Sequence, residues 1–138
     1  MIFVDTNVVL DIVQNDPRWG DWSAHQLQEA LTDHPVVVNA VVVAELGRDF
    51  VNAAALTGRL ATLDLVIEPL DEHAAFLAGK RFVAARRSRA AGERSRPLPD
   101  FFIGAHALSL DATLLTRDAA IYRRHFADLP LITPETHP

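Results

Sequence analysis

The sequence predicts an α/β fold: a central, mostly parallel sheet covered by helices on both faces. Short apolar runs alternate with helix-patterned segments from end to end, the arrangement that gives such a sheet. At 138 residues, 49% hydrophobic and 22% charged, the chain fits one domain, residues 1 to 138, built on one core. No internal repeat or low-complexity stretch suggests another architecture.

Ile2-Phe3-Val4 is the first strand candidate, and Asn7 to Val13 reads as a short helix that Asn7 is placed to cap. After the loop Asn15 to Gly20, Asp21 caps a helix to about Thr32, with Trp22, Leu27 and Leu31 as its apolar positions. Pro35-Val36-Val37-Val38 is a strand rich in β-branched residues. Val41 to Asp49 reads as a helix, and Asn52 caps another to about Leu63. Leu65-Val66-Ile67 is a third strand. Asp71-Glu72 opens a long helix to about Ala91, with Ala75, Phe76, Leu77, Phe82 and Val83 as its apolar side. Acids at its start and arginines near its end suit the helix dipole. Gly92 to Pro99 is a linker, and Asp100 stands where an N-cap belongs, ahead of Phe101 to Leu110. Ala112 to Leu115 is a fourth strand, Asp118 caps a helix to about His125, and Leu129 to Ile132 is a last strand that Pro130 confines to an edge.

There is no cysteine, which excludes disulfides, thiolate metal sites and a cysteine nucleophile. No apolar run approaches the roughly 20 residues needed to cross a bilayer, and the start lacks the basic segment of a signal peptide. The expectation is a soluble, cytoplasmic protein. A net charge of -5 argues at first against a nucleic-acid partner. Its distribution is uneven: residues 1 to 79 hold three Arg and twelve acids, whereas residues 80 to 96 hold Lys80, Arg81, Arg86, Arg87, Arg89, Arg94 and Arg96 against Glu93 alone. That stripe reads equally as a solvated helix face or as a contact for a phosphate backbone.

In a parallel sheet, ligands bind outside the carboxyl ends of the strands. Asp5 follows the first strand, Glu45 lies on the helix after the second, Asp100 opens a helix after a proline-bounded loop, and Asp118 comes three residues after Leu115. Taken singly, Asp100 and Asp118 read as caps. Asp5 is harder to explain that way, because Asn7 already supplies a cap and Asp5-Thr6-Asn7 sets a carboxylate, a hydroxyl and an amide at the edge of the core. Carboxylates gathered in a cleft repel one another, and a divalent cation removes that cost. An all-oxygen set without cysteine or paired histidines points to Mg²⁺ or Mn²⁺ and to phosphoryl chemistry.

Four segments carry a family resemblance: Ile2-Phe3-Val4-Asp5-Thr6-Asn7-Val8, Val42-Val43-Ala44-Glu45-Leu46, Leu98-Pro99-Asp100-Phe101-Phe102-Ile103-Gly104-Ala105-His106-Ala107, and Leu114-Leu115-Thr116-Arg117-Asp118. In order and spacing they resemble PIN-domain nucleases, above all the VapC-type toxins of bacterial toxin–antitoxin pairs. The resemblance implies a PIN-like three-layer sandwich and a Mg²⁺- or Mn²⁺-dependent endoribonuclease that cleaves structured RNA, tRNA or rRNA, with metal-activated water. It also implies a homodimer and neutralisation by a VapB-type antitoxin. Carried over, Asp5, Glu45, Asp100 and Asp118 form the acidic, metal-holding cluster. Asp5 and Asp100 are the direct ligands, and Glu45 and Asp118 act through water or hold a second ion. Thr116 supplies a hydroxyl for a carboxylate or a water, with Thr6 and Asn7 in support. Many relatives carry another acid one turn after the third; here that position is Gly104. Arg86, Arg87, Arg89, Arg94 and Arg96 are candidates for contact with RNA or with an acidic antitoxin segment.

The competing reading is a non-catalytic PIN-like module that dimerises and acts with a DNA-binding partner, for which four acids serve no purpose. A phosphatase with an aspartyl nucleophile is disfavoured because Asp5-Thr6-Asn7 lacks the second Asp two residues on. No nucleophile elbow or glycine-rich phosphate loop is present. His106 reads as a surface or core-packing residue rather than a ligand, and Asp11 as an exposed helical acid.

Overall fold

The computed structural model describes residues 1–89 and 98–138, so Ala91, Arg94 and Arg96 of the sequence reading lie outside the described residues. The hydrophobic runs settle into a five-stranded sheet, β1 (Ile2–Val4), β2 (Val36–Asn39), β3 (Val66–Glu68), β4 (Thr113–Leu115) and β5 (Leu131–Ile132), in the order β3-β2-β1-β4-β5. Every neighbouring pair is parallel. β1 is central and wholly buried, whereas β3 and β5 are edges, in keeping with Pro130 and with the exposure of Val66.

Helices fill the crossovers: α1 (Thr6–Val13), α2 (Gly20–Asp33), α3 (Ala40–Leu46) with a 3₁₀ turn at Gly47–Asp49, α4 (Ala53–Thr62), α5 (Glu72–Ser88), α6 (Leu98–Ser109) and α7 (Ala120–His125). The chain winds from β1 outward to β3, then returns past β1 to β4. With right-handed crossovers, that reversal puts α1 to α4 on one face and α5 to α7 on the other, a three-layer sandwich. The core between the layers includes Phe3, Val4, Val8, Val37, Leu60, Phe101, Ile103, Leu114, Tyr122 and Phe126. Among the described residues no helix is long and apolar enough to cross a membrane.

Several helix starts differ from expectation. Asp5, not Asn7, is the N-cap of α1, and its Oδ1 accepts the Thr6 N–H. Trp19 precedes α2, leaving Asp21 in the first turn, where its charge still suits the dipole. Asp100 is the third residue of α6, and Ala119 rather than Asp118 occupies the N-cap of α7. Asn39 and Asn52 cap α3 and α4, and Asp71 caps α5. On α5 the fully buried residues are Ala74 and Ala78, while Phe76 and Val83 face solvent. Close helix packing, seen in the contact of α5 with α6, selects the small residues for the interface.

Gly104 lies on α6 against the ring of Phe126, where a Cβ would stand 2.8 Å from Cε2. Phe126 is itself fully buried against Phe101 and Tyr122. The space for a side chain at this position is therefore filled by an aromatic ring. Gly104→Ala is expected to lower stability by about 1–3 kcal/mol, the usual cost of overpacking. Denaturant unfolding of the purified variant measures this, and unchanged stability would show that the ring yields freely.

Candidate functional site

Because the winding direction reverses at β1, the crevice between the carboxyl ends of β1 and β4 is the topological switch point. Asp5 follows β1, and Thr116, Arg117 and Asp118 follow β4. Glu45 comes in on α3 and Asp100 on the first turn of α6. All four acids line one cleft of about 180 Å³, together with Thr6, Asn7, Leu10, Ile121 and Tyr122.

Asp5 is 5% exposed and is held by donors from several elements. The Thr6 N–H gives to Oδ1 at 2.7 Å. Oδ2 accepts from the Thr116 hydroxyl at 2.7 Å, the Asn7 amide at 3.1 Å and the Tyr122 hydroxyl at 3.1 Å. Burial pushes the Asp5 carboxyl up from 3.8 to about 6, against the lowering pull of Thr116, the Thr6 N–H and Tyr122; Glu45 adds repulsion in the raising direction. Thr116 Oγ1 also accepts the Asp118 N–H at 3.1 Å, and Thr6 Oγ1 donates to Glu45 Oε1 at 2.7 Å. Asp118 and Glu45 are exposed at the cleft rim and Asp100 is half-buried.

Tyr122 went unrecognised in the sequence reading. It is the chain's one tyrosine, four residues beyond Asp118, so the helical turn after the fourth acid is the signal that points to it. Burial, and then the fields of Asp5 and Asp100, hold its hydroxyl well above the ordinary tyrosine range, so it stays a neutral donor. Asp5, Asp100 and Glu45 all act on this one hydroxyl, a second sign, besides the lining, that these three share a region.

Asp11 also departs from expectation. Its side chain is 3% exposed and forms a bidentate pair with Arg117, Nε to Oδ2 at 2.8 Å and Nη2 to Oδ1 at 2.8 Å. Of the surface and core positions open to it, His106 takes the core. It lies edge-on to Phe3, with Nδ1 3.1 Å from the Asn39 amide nitrogen. Burial lowers its pKa.

Arg86, Arg87 and Arg89 are exposed and share a surface hollow with Val83. The Phe82 ring meets that of Phe101, next to Asp100, at a centroid distance of 5.4 Å. Arg86 lies one turn beyond Phe82, its guanidinium carbon 6.0 Å from the centroid of that ring.

The donor set is all oxygen, which suits a hard dication. Among the described residues, however, no three His, Cys, Asp or Glu side chains form a ready-made metal-binding group. The acids line the cleft without converging on one point. An ion that keeps several of its waters and takes one or two carboxylates fits such an open arrangement, which is the habit of Mg²⁺.

A family model described as PIN domain matches residues 2–127. Among solved structures, the chain is similar to VapBC2 from Rickettsia felis bound to a DNA fragment from their promoter, with TM-score 0.71 and 20% identity over 96% of this chain and 98% of that one. It is similar to FitAcB from Neisseria gonorrhoeae, with TM-score 0.71 and 25% identity over 100% of both. It is also similar to a toxin–antitoxin complex from Klebsiella pneumoniae, with TM-score 0.58 and 22% identity over 97% of this chain and 98% of that one. No curated protein matches in sequence.

The raised Asp5 value has a consequence for stability. Folded Asp5 keeps its proton up to about pH 6, whereas the unfolded chain releases it near 3.8. Between those values the native state binds more protons, so this group's contribution falls as pH rises through the window and is level above it. Without divalent ions, wild type is expected to lose about 2 kcal/mol relative to Asp5→Asn from pH 4 to pH 6. Urea unfolding in EDTA at a series of pH values reads this out; a pH-independent difference between the two proteins would contradict it.

Proposed function

The chain belongs to the PIN-domain family, and from that membership together with the acid cleft we propose that it is a Mg²⁺- or Mn²⁺-dependent endoribonuclease, the toxin of a toxin–antitoxin pair. PIN domains are in general nucleases that use a divalent metal. The observation that carries the reading is the single cleft, lined by carboxylates from four separate parts of the chain.

When bound, the ion supplies Lewis-acid polarisation of a phosphate oxygen and a more acidic water. The chain's own residues do the rest. Thr116, Asn7 and Tyr122 load their hydrogens onto Asp5 Oδ2, which fixes the carboxylate and leaves Oδ1, holding only the short Thr6 N–H bond among these contacts, with capacity to ligate. Asp100 is the second direct ligand in this reading. Glu45, steadied by Thr6, and Asp118, whose N–H is tied to Thr116, would support the ion indirectly from the rim. The basic end of α5, with Arg86, Arg87 and Arg89, engages the RNA backbone leading from the cleft. We assign the chain a VapB-type antitoxin as partner, on the strength of neighbours that include a toxin–antitoxin complex and an assembly on promoter DNA, and a homodimeric state on the family resemblance alone.

Wild-type protein with Mg²⁺ is expected to cut RNA to 5′-phosphate and 3′-hydroxyl ends, as sequencing of the ends reveals. Asp5→Asn abolishes cleavage, and Thr116→Ala slows it by about 10–100-fold, the usual loss for an outer-shell partner. Cleavage persisting in Asp5→Asn, or products ending in 2′,3′-cyclic phosphate, would rule the mechanism out. No cleavage by wild type on any RNA would favour the binding module.

Arg86→Glu with Arg87→Glu is expected to weaken RNA cleavage while Mn²⁺ binding is kept. If binding only of an antitoxin suffers, the basic segment belongs to that partner instead.

A further inference from the structure

We propose that the Asp11–Arg117 ion pair is a positioning clamp for the cleft, fixing the 116–118 turn against α1. The inference rests on the reading of the cleft as a divalent-cation site.

Arg117 stands between Thr116 and Asp118, and an arginine beside a nuclease cleft invites a reading as a phosphate contact. Its geometry says otherwise. Both oxygens of Asp11 are taken by the guanidinium fork at 2.8 Å, and Asp11 is sealed from solvent. Ser23 Oγ donates to Asp11 Oδ2 at 2.8 Å, and the guanidinium carbon lies 5.7 Å from the centroid of the Trp19 ring. A fork on a buried carboxylate is directional and hard to displace. The charge of Arg117 is committed to Asp11, although the arginine side chain is itself part-exposed.

The same residue is tied to α1 a second time. Its N–H donates to Asn7 Oδ1 at 3.1 Å. Asn7 in turn gives its amide hydrogens to Asp5 Oδ2 at 3.1 Å and to Thr116 Oγ1 at 3.3 Å. Asn7 and Asp11 are four residues apart, hence on one face of α1. The turn after β4 is thus pinned to that face by backbone at Asn7 and by side chain at Asp11. These two anchors set where Thr116 meets Asp5 and where Asp118 stands on the rim. Arg117 and Asp11 act through these neighbours and are positioning residues.

Charge alone predicts the opposite of positioning for one partner. Removing Arg117 makes the region more negative, which tightens cation binding if geometry is unimportant. The double variant Asp11→Asn/Arg117→Gln removes both charges and leaves the net charge unchanged, so it isolates geometry. Mn²⁺ binding, read by the electron paramagnetic resonance of free Mn²⁺, should weaken about tenfold or more in the double variant. Arg117→Lys, which keeps the charge but not the fork, should fall between. Ser23→Ala, which touches Asp11 but not the turn, should bind as wild type. In EDTA, hydrogen exchange at the amides of residues 117 and 118 should quicken in the double variant and in Arg117→Lys, but not in Ser23→Ala. If the double variant does not fold, Arg117→Lys carries the same comparison.

Wild-type Mn²⁺ affinity in the double variant, or unchanged exchange at 117 and 118, overturns the clamp. Asp5→Asn serves as the separate control on the cleft itself. Should it bind Mn²⁺ as wild type does, the cleft reading fails, and the metal-free exchange still decides whether the turn is clamped.

Discussion

A carboxylate at the carboxyl end of a strand buried on both faces has to find hydrogen-bond donors in the protein, because water is largely excluded. Asp5 finds them on α1, in the turn after β4 and on α7. Those partners lie up to 117 residues away in sequence, so satisfying one side chain draws three parts of the molecule to the end of the central strand. The donors offset burial only in part, since the carboxyl still sits at about 6 rather than 3.8. Asp5 therefore remains a carboxylate at neutral pH, held in place but short of compensation.

The contrast with Asp11 explains why only one of these two buried acids joins the carboxylate-lined cleft. Both lie on or just before α1, and both are nearly closed to solvent. Asp11 has its own cation in Arg117. Asp5 is held by neutral donors, with no cation among the contacts that fix it. Neutral donors fix a carboxylate without cancelling its charge, so negative potential is left at the switch point and extends to Tyr122. One acid serves the architecture of the turn, and the other is left with charge to share.

Much of this was legible in the chain itself. The alternation of strand and helix segments gave the layer order, and the position of Asp5, Glu45, Asp100 and Asp118 relative to strand ends pointed to one cleft. Local boundaries were less readable, because several residues can cap a given helix and only packing selects among them. Asn7 was a plausible cap until the partner of its amide, Asp5, was known. The burial of Asp11 depends on an arginine 106 residues away, and pattern within α1 carries no trace of it. On α5, Phe76 and Val83 looked like core by type, but the approach of α6 favours the alanines. Gly104 likewise has a meaning only once Phe126 is seen beside it.

The contact between Asn39 and His106 determines which ring nitrogen carries a hydrogen. Asn39 Oδ1 already accepts the N–H groups of Val41 and Val42, so the amide cannot be turned around and its nitrogen must face the imidazole as donor. Nδ1 is then bare, and the neutral ring is the Nε2–H tautomer. A second proton would set donor against donor, adding to the burial that already disfavours the cation. Asn39 caps the helix bearing Glu45, and His106 rides on the helix bearing Asp100. The registry of two acid-bearing helices thus depends on a lone pair, and it would be surrendered to any environment acidic enough to fill it.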